Sequence, residues 1–347
     1  MLRRREGTAI LEFSSWSYRS LWQFRKKSQQ RQFAFSSTKT ARGKIIRRVH
    51  ICVIFNPAAR GNKARHFRRH LDEIGGQSAL KATAAPGDAR RLAADAIADG
   101  FDLIVAAGGD GTLNEVLNGI GDLPNGFERV RLGVLPLGTV NVFARELKIP
   151  LRLDRAWEIL RRGREMKIDL GCADFSADGI RKRQFFAQLA GAGLDARAIE
   201  LVDFSVKKKI GPLAYVVAGL KALREKKPRI GVRGVACPSG EDFSGELVLI
   251  GNGKFYGGPF GIFPPADLCD GLLEICVFPR VDFTTLLHCA PSFLARQRVP
   301  EKIVRRFQAD KFELVCESQA AFELDGEWAG NLPVTFSVER EKLRVIC

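Results

Sequence analysis

The sequence predicts an α/β domain with a parallel sheet, followed by a domain made mainly of β-strands. The chain has 347 residues, which suggests two domains of roughly 100–200 residues each. Apolar strands alternate with amphipathic helices up to about residue 170. Beyond that point, short apolar segments are separated by Gly, Pro and Asp turns. We therefore expect a basic, disordered extension over residues 1–48, an α/β domain over 49–168 and a β-rich domain over 169–347.

The α/β pattern begins with a nearly continuous apolar run at residues 49–55, as expected for a parallel strand that is buried on both faces. Pro86-Gly87 before and Gly100 after one helical segment are the usual helix boundaries. The remaining segments follow in order: helix 62–74, strand 78–83, helix 88–99, strand 101–107, helix 113–120, strand 130–135, helix 140–147 and helix 153–162.

The sequence of the second half predicts short antiparallel strands with two helices among them. Asp325-Gly326, between two apolar segments, is a strong signal for a hairpin turn. The predicted helices span residues 213–224 and 283–296. The predicted strands are 166–170, 184–189, 230–236, 245–250, 272–278, 312–316, 320–324 and 334–338.

The net charge of +16 lies mostly in the first 48 residues, which hold 13 Lys and Arg against Glu6 and Glu12. The other 299 residues carry a net charge of only +5. The globular part therefore gives no indication of nucleic-acid binding. The basic segment could be a disordered extension, an organellar transit peptide or an arm attracted to anionic lipid.

The eight cysteines and four histidines are scattered, and no Cys-x-x-Cys pair occurs. Neither a disulfide framework nor a zinc site is predicted. No run of about 18 apolar residues suggests a membrane-spanning helix. We expect a cytoplasmic protein in a reducing compartment.

The most informative motif is the loop at residues 108–112 (Gly-Gly-Asp-Gly-Thr), between a strand and a helix. Thr112 and Glu115 have the spacing of a capping box, which predicts a helix start at Thr112. Glycines at such a junction let phosphate oxygens approach the backbone, and the helix start offers free N–H groups. Asp110 would repel a bare phosphate, but it could reach Mg²⁺, a ribose or water. A plain strand-to-helix turn remains an alternative.

A second glycine loop follows the strand that ends at Leu135. It contains Gly138, Thr139 and Asn141 and precedes the predicted helix 140–147. Two such loops at the carboxyl ends of strands in one sheet would flank the usual ligand crevice of α/β proteins. Together they favour a nucleotide site more strongly than either does alone.

Asp325 is a candidate general base, because phosphoryl transfer needs a carboxylate that accepts the proton of the substrate hydroxyl. Glu327 lies two residues further on. From the residues alone, a purely structural hairpin turn explains Asp325-Gly326 better than a catalytic role does, although a tight turn could also present the carboxylate to a cleft.

Several motifs in order resemble the diacylglycerol kinase catalytic domain, especially that of the soluble bacterial lipid kinases, with sphingosine and ceramide kinases more distant. The resemblance covers about residues 49–347. Its motifs are Asn56-Pro57, residues 108–112, residues 136–145 (Pro-Leu-Gly-Thr-Val-Asn-Val-Phe-Ala-Arg), 191–196, 211–215, Gly257-Gly258, 265–267, 270–273 and 324–327 (Leu-Asp-Gly-Glu).

The resemblance implies a lipid kinase that depends on ATP and Mg²⁺. It also implies an NAD-kinase-like α/β domain, a β-sandwich-like second domain and an active site in the cleft between them. Asp325 and Glu327 are the implied catalytic residues. The implied metal site is Asp270 with backbone oxygens of Asp267 and Leu272. The implied cofactor-binding residues are Asn56, Thr83, Gly108, Gly109, Asp110, Gly111, Thr112, Leu113, Asn114, Gly138, Thr139 and Asn141.

The chain departs from the family at Val142, where many relatives carry an Asp that helps to hold an Asp–water–Mg²⁺ network. Asp169 matches another acidic position of that network. This departure leaves open a catalytically weak protein that binds lipid or nucleotide. An NAD-kinase-like small-molecule kinase is a further alternative.

The expected partners are ATP and a lipid substrate at a membrane surface, with peripheral membrane contact. Lys207-Lys208-Lys209, followed by the apolar residues 210–220, could form part of that contact. A core helix with a charged start is an alternative explanation.

Overall fold

A computed structural model describes residues 49–57, 62–200, 225, 227–235, 243–285, 299–300 and 302–347. Val49–Cys347 form one compact unit. The basic extension, the lysine cluster at 207–209, the predicted helix at 213–224 and most of the predicted helix at 283–296 lie outside the described residues.

Four parallel strands form the first half of the fold, in the spatial order β2-β1-β3-β4. They are β1 (Ile51–Phe55), β2 (Ala79–Ala82), β3 (Leu103–Gly108) and β4 (Arg131–Pro136). All six residues of β3 are buried, which agrees with its continuous apolar sequence. The predicted parallel α/β arrangement is confirmed.

Seven helices connect and cover these strands in the described part of this half. They are α1 (Asn62–Arg69), α2 (Leu71–Gly75), α3 (Asp88–Ala98), α4 (Asp110–Gly121), α5 (Gly126–Arg129), α6 (Val142–Glu146) and α7 (Leu153–Arg162). Helices α3 and α4 pack closely, because a Cβ at Gly119 would lie 2.1 Å from the carbonyl oxygen of Arg90.

The described residues of the second half are mainly β-strands. Its elements are β5 (Glu165–Ala177), β6 (Ile180–Phe186), β7 (Leu189–Gly193), α8 (Leu194–Glu200), β8 (Ile230–Arg233), β9 (Phe243–Gly245), β10 (Leu247–Gly251), β11 (Leu273–Phe278), β12 (Arg305–Ala309), β13 (Lys311–Cys316), β14 (Ala321–Leu324), β15 (Glu327–Asn331) and β16 (Val334–Ile346).

Two sheets face each other in this half. Six antiparallel strands form one sheet in the order β12-β11-β10-β7-β14-β15. In the other sheet, β5, β6, β16, β13, β8 and β9 continue the parallel sheet into a ten-stranded sheet. Phenylalanines fill the space between them; for example, the rings of Phe175 and Phe322 lie 5.0 Å apart, edge to face. This arrangement confirms the predicted α/β plus β-sandwich class.

Strand β16 joins the two halves. It pairs antiparallel with β5 over most of its length and pairs parallel with β4 at Val345 and Leu132. Strand β5 itself continues through residues 168 and 169, where the sequence predicted a domain boundary. The division of the chain at that position stays a prediction.

Some elements were not predicted from the sequence. Strand β12 (Arg-Arg-Phe-Gln-Ala) carries too few apolar residues to show a strand period, and of strand β15 (Glu-Trp-Ala-Gly-Asn) only the start beside the hairpin turn was predicted. The polar residues 339–342 coincide with an irregularity in the pairing of β16 with β5. Because that irregularity interrupts the alternation, only the first part of β16 was predicted.

Candidate active site between the two halves

The first glycine loop lies where the sequence placed it, but the helix after it starts earlier than predicted. Helix α4 begins at Asp110, and its N-cap is Gly109 in an extended conformation. The expected capping box at Thr112 and Glu115 is therefore wrong. Glu115 instead accepts hydrogen bonds from the backbone N–H groups of Gly87 and Ala89, both at 2.9 Å, and so holds the start of α3.

The two glycine loops are in direct contact. The carbonyl oxygen of Gly108 accepts hydrogen bonds from the N–H groups of Leu137 (2.9 Å) and Gly138 (3.2 Å). A Cβ at Gly138 would lie 2.5 Å from the Cα of Gly109. Gly138 is needed because the two backbones approach too closely at this position for any side chain.

Asn141 closes the second loop. It has a left-handed backbone conformation (φ 53°) and donates a 2.6 Å hydrogen bond from Nδ2 to the carbonyl oxygen of Gly138. Its Oδ1 atom is buried and has no hydrogen-bond partner in the described part of the chain. A buried acceptor of this kind is costly unless a ligand or water satisfies it. Thr139, between these two residues, is exposed.

Asp110 lies against the second loop. Its Oδ1 accepts a 3.4 Å hydrogen bond from the N–H of Phe143 in α6. Burial raises the pKa of Asp110, the charge of Asp325 raises it further, and the N–H groups at residues 141–143 oppose both effects. The two carboxylates lie near the same turn of α4, since Asp325 is hydrogen-bonded to Asn114, one turn after Asp110.

Asp325 sits at the tip of the β14–β15 hairpin. Asp325 (φ 51°) and Gly326 (φ 87°) both have positive φ values, as in a type I′ turn. The predicted hairpin is therefore confirmed. Since the carboxylate of Asp325 lies beside Asp110, the turn also presents it to the first glycine loop.

The carboxylate of Asp325 accepts four hydrogen bonds. Its Oδ1 accepts from the N–H groups of Gln188 (2.9 Å) and Leu189 (3.1 Å). Its Oδ2 accepts from the N–H of Ala187 (2.9 Å) and from Nδ2 of Asn114 (3.1 Å). Burial raises the pKa of Asp325, and these donors oppose that rise.

Asn118 is a residue of this region that the sequence analysis missed. It lies one turn after Asn114 on α4 and is buried. Its side chain exchanges two hydrogen bonds with the backbone of Phe185, donating at 3.0 Å and accepting at 2.9 Å. It thus fixes α4 to β6, just before the segment that holds Asp325. Two amides spaced i, i+4 on α4 were the available signal.

Glu327 and Leu113 complete the first loop. A Cβ at Gly111 would lie 2.8 Å from Oε1 of Glu327, so this carboxylate covers the loop. Leu113 differs from its neighbours, because its side chain is buried in the core and its N–H donates to the carbonyl oxygen of Gly109. Neither the side chain nor the backbone N–H of Leu113 is therefore available to a nucleotide.

Asn56 and Thr83 follow β1 and β2 at the carboxyl edge of the parallel sheet, the same edge from which the glycine loops emerge. The N–H of Thr83 donates a 2.9 Å hydrogen bond to the carbonyl oxygen of Phe55, which places the two residues side by side. Their contact with a nucleotide stays a prediction.

The predicted metal turn is stabilised by its own side chains. Asp267 accepts a hydrogen bond from the N–H of Cys269 (3.1 Å), and Asp270 accepts one from the N–H of Leu272 (2.9 Å). Asp169 is buried beneath the turn and accepts from the N–H groups of Gly271 and Glu341, both at 2.7 Å. Its place in a network with Asp110 stays a prediction.

The metal turn is rich in negative charge. Burial raises the pKa of Asp270, the N–H of Leu272 opposes the rise, and the charges of Asp267 and Asp169 add to it. Within the described residues, no group of three or more His, Cys, Asp or Glu side chains is arranged to hold a metal ion. The predicted site, which relies on one carboxylate and two backbone oxygens, stays a prediction.

Comparison with known proteins agrees with this architecture. Residues 50–173 match the diacylglycerol kinase catalytic domain, and residues 188–347 match the YegS C-terminal NAD kinase beta sandwich-like domain. Diacylglycerol kinase of Bacillus subtilis (strain 168) is 30% identical over 295 residues, which cover 82% of this chain and 91% of the relative. The chain belongs to the diacylglycerol kinase family, and it is a lipid kinase.

Other relatives give the same result. Diacylglycerol kinase of Staphylococcus carnosus (strain TM300) is 28% identical over 302 residues, 84% of this chain and 93% of the relative. The crystal structure of a diacylglycerol kinase from Bacillus anthracis str. Sterne has the same fold, with a TM-score of 0.60 at 20% identity. The match covers 86% of this chain and 96% of the chain in that crystal structure. In the described part of this chain, no helix is long and apolar enough to cross a membrane.

Proposed function

We propose that this lipid kinase transfers the γ-phosphate of ATP to the hydroxyl of a diacylglycerol-like or sphingoid lipid, and that Asp325 accepts the hydroxyl proton. The observation that supports this most directly is the 3.1 Å hydrogen bond between Asp325 and Asn114, which lies one turn after Asp110 of the first glycine loop on α4. A base and a phosphate-binding loop must be neighbours for proton acceptance and phosphoryl transfer to occur at one place.

The two glycine loops are the proposed site of the ATP phosphates. No side chain caps the start of α4, so the N–H groups of its first turn remain available for phosphate oxygens. Asn56 and Thr83 lie along the same sheet edge and would extend the site toward the rest of the nucleotide. Glu327 would meet the nucleotide from the other side of the loop.

Asp110 and Asn141 are the residues best suited to hold Mg²⁺ near these phosphates. Both offer oxygen atoms, which this hard cation prefers, and Oδ1 of Asn141 is buried without a partner in the described structure. Mg²⁺, when bound, would neutralise part of the phosphate charge. A second cation at Asp267, Asp270 and Leu272 would be structural, since the negative charges of that turn favour one.

The hydrogen bonds of Asp325 indicate how the acceptor hydroxyl could bind. A carboxylate has about four acceptor positions, and all four are taken by Ala187, Gln188, Leu189 and Asn114. Three of these donors are backbone groups, whereas Asn114 contributes a side chain that can rotate. We therefore expect the lipid hydroxyl to displace the amide of Asn114 and donate its proton to Oδ2.

The lipid side of the cleft has an exposed aromatic residue. Trp328 lies three residues after Asp325 on the edge strand β15, and 49% of its surface is exposed. Tryptophan is favoured where apolar and polar surroundings meet, as at a membrane interface. Trp328 is thus a candidate contact for the lipid acceptor and for peripheral membrane attachment.

The test uses the full chain, labelled ATP, Mg²⁺ and vesicles that contain diacylglycerol or a sphingoid base. We expect labelled phospholipid and no labelling of NAD or fructose 6-phosphate. Asp325→Asn should lower kcat by about 10²–10⁴-fold, the usual contribution of a general base, with ATP binding retained.

Asp178→Asn is the matched control, because Asp178-Gly179 forms an exposed turn with the same positive φ values (54° and 74°). Turnover by Asp325→Asn equal to that of the Asp178→Asn control would remove Asp325 from its proposed role. If NAD rather than lipid became labelled, the acceptor would be a small molecule and not a lipid.

A further inference from the structure

A pair of acidic side chains lies directly behind the Asp325 turn. Glu323 in β14 is completely buried, and Asp195 reaches it from α8. The hydroxyl of Tyr256 donates a short hydrogen bond to Oδ1 of Asp195. Oε2 of Glu323 accepts a 2.6 Å hydrogen bond from the N–H of Gly326. The pair therefore touches the backbone of the turn that carries Asp325.

The remaining oxygens of the two carboxyl groups face each other. A Cβ at Gly191 would lie 2.4 Å from Oδ2 of Asp195 and 3.0 Å from Oε1 of Glu323. Oε1 of Glu323 is buried and has no donor within hydrogen-bond distance in the described structure. Two ionised carboxylates cannot share a buried site, so one of the pair must carry a proton.

The proton belongs on Glu323. Burial raises the pKa of Glu323, and the charge of Asp195 raises it further. Burial also raises the pKa of Asp195, but the hydroxyl of Tyr256 opposes that rise. A neutral Glu323 has one donor and one carbonyl-like acceptor, which match Oδ2 of Asp195 and the N–H of Gly326.

We propose that Glu323 is a positioning residue that stays protonated: its hydroxyl donates to Asp195, its other oxygen accepts from Gly326, and the turn presenting Asp325 is thereby fixed. The proposal rests on the proposed role of Asp325. Glu323 can act on the turn because the N–H group that it binds belongs to Gly326, the residue directly after Asp325.

The neutral state of Glu323 also matters for charge. Asp110 and Asp325 already place two carboxylates close together, and an ionised Glu323 would add a third.

The kinetic test compares Glu323→Gln with Glu323→Leu in the full chain. Glutamine can donate to Asp195 and accept from Gly326, as a neutral Glu does, whereas leucine can do neither. We expect Glu323→Gln to keep kcat within about threefold of the natural protein. Glu323→Leu should lose about tenfold or more in kcat with the KM for ATP unchanged, since the base would be displaced while the nucleotide loops stay intact.

Equal impairment of the two variants, or full turnover by Glu323→Leu, would overturn the proposal. If Glu323→Leu fails to fold, infrared difference spectroscopy tests directly whether Glu323 is protonated. A carbonyl band of a buried protonated carboxyl group should be present at neutral pH and lost in Glu323→Gln, and its absence from the natural protein would refute the shared proton.

The band should persist in Asp325→Asn. If Asp325→Asn kept its turnover while the band behaved as expected, the role of Asp325 would fail and the proton on Glu323 would stand. The two failures are thus distinguishable.

Discussion

The contact between the two glycine loops gives the sharpest prediction, for Gly138→Ala. The added Cβ would lie 2.5 Å from the Cα of Gly109, 2.8 Å from Oδ1 of Asn141 and 3.2 Å from the backbone nitrogen of Gly109. Carbon atoms prefer separations of about 3.5–4.0 Å, so the loops must move apart by roughly 1 Å. Since Gly109 contributes backbone at this contact, no side-chain rotation can relieve the overlap.

Two effects of different size follow from this displacement. Overpacking of this kind typically lowers the free energy of unfolding by about 1–3 kcal/mol. The effect on catalysis should be larger, because a misplacement of about 1 Å in an active site can reduce the rate about 10²-fold. The KM for ATP should rise as well, since both loops are proposed to hold its phosphates.

Thermal unfolding and turnover with lipid vesicles measure the two effects. Gly261→Ala is the matched control, because no heavy atom lies within 4 Å of a Cβ at Gly261. We expect the control to change stability by less than about 1 kcal/mol and to leave turnover unchanged. Gly138→Ala with the Tm and kcat of the control would show that the loops do not need their close contact.

Three further predictions concern neighbouring residues. In Gly111→Ala, the added Cβ would lie 2.8 Å from the flexible side-chain end of Glu327. Thermal unfolding should therefore show a loss of stability below about 1 kcal/mol, while the KM for ATP rises. An unchanged KM would contradict the proposed phosphate site. Glu115→Ala removes both acceptors at the start of α3 and should destabilise the protein by about 1–3 kcal/mol in a denaturant titration; no change would show that these bonds add nothing to stability. Asn114→Ala removes a donor that lowers the pKa of Asp325 in the free enzyme. The acid limb of the kcat/KM profile, where the base becomes protonated, should therefore move to higher pH; an unmoved limb would separate Asn114 from the base.

The parallel half of the fold was predictable because its signals are local. Strand β3 is a continuous apolar run that ends in glycines, and helix α7 was predicted with its observed ends (Leu153–Arg162). The Asp325-Gly326 turn was also predictable, since the dipeptide favours positive φ values at both positions. For each of these elements, the residues that determine the structure lie within it or beside it.

The features that the sequence did not predict depend on contacts between residues far apart in the chain. Thr112 and Glu115 have the spacing of a capping box, yet Glu115 binds the start of another helix, at Gly87 and Ala89. The buried Glu323 looks like the polar position of an alternating strand. Its role becomes visible only when the fold brings Asp195 to it from 128 positions earlier in the numbering.

The two halves of the chain cannot form the active site independently. Asn114 and Asp325 are 211 positions apart, and the donors at residues 187–189 lie between them in the sequence. Strand β16, which pairs with β4 and β5, makes the last residues of the chain part of the sheet that carries the glycine loops. The glycine loops belong to the sheet that contains β16, whereas the turn that carries Asp325 belongs to the six-stranded sheet packed against it. Destabilising the C-terminal strand should therefore disturb the contact between the loops and Asp325.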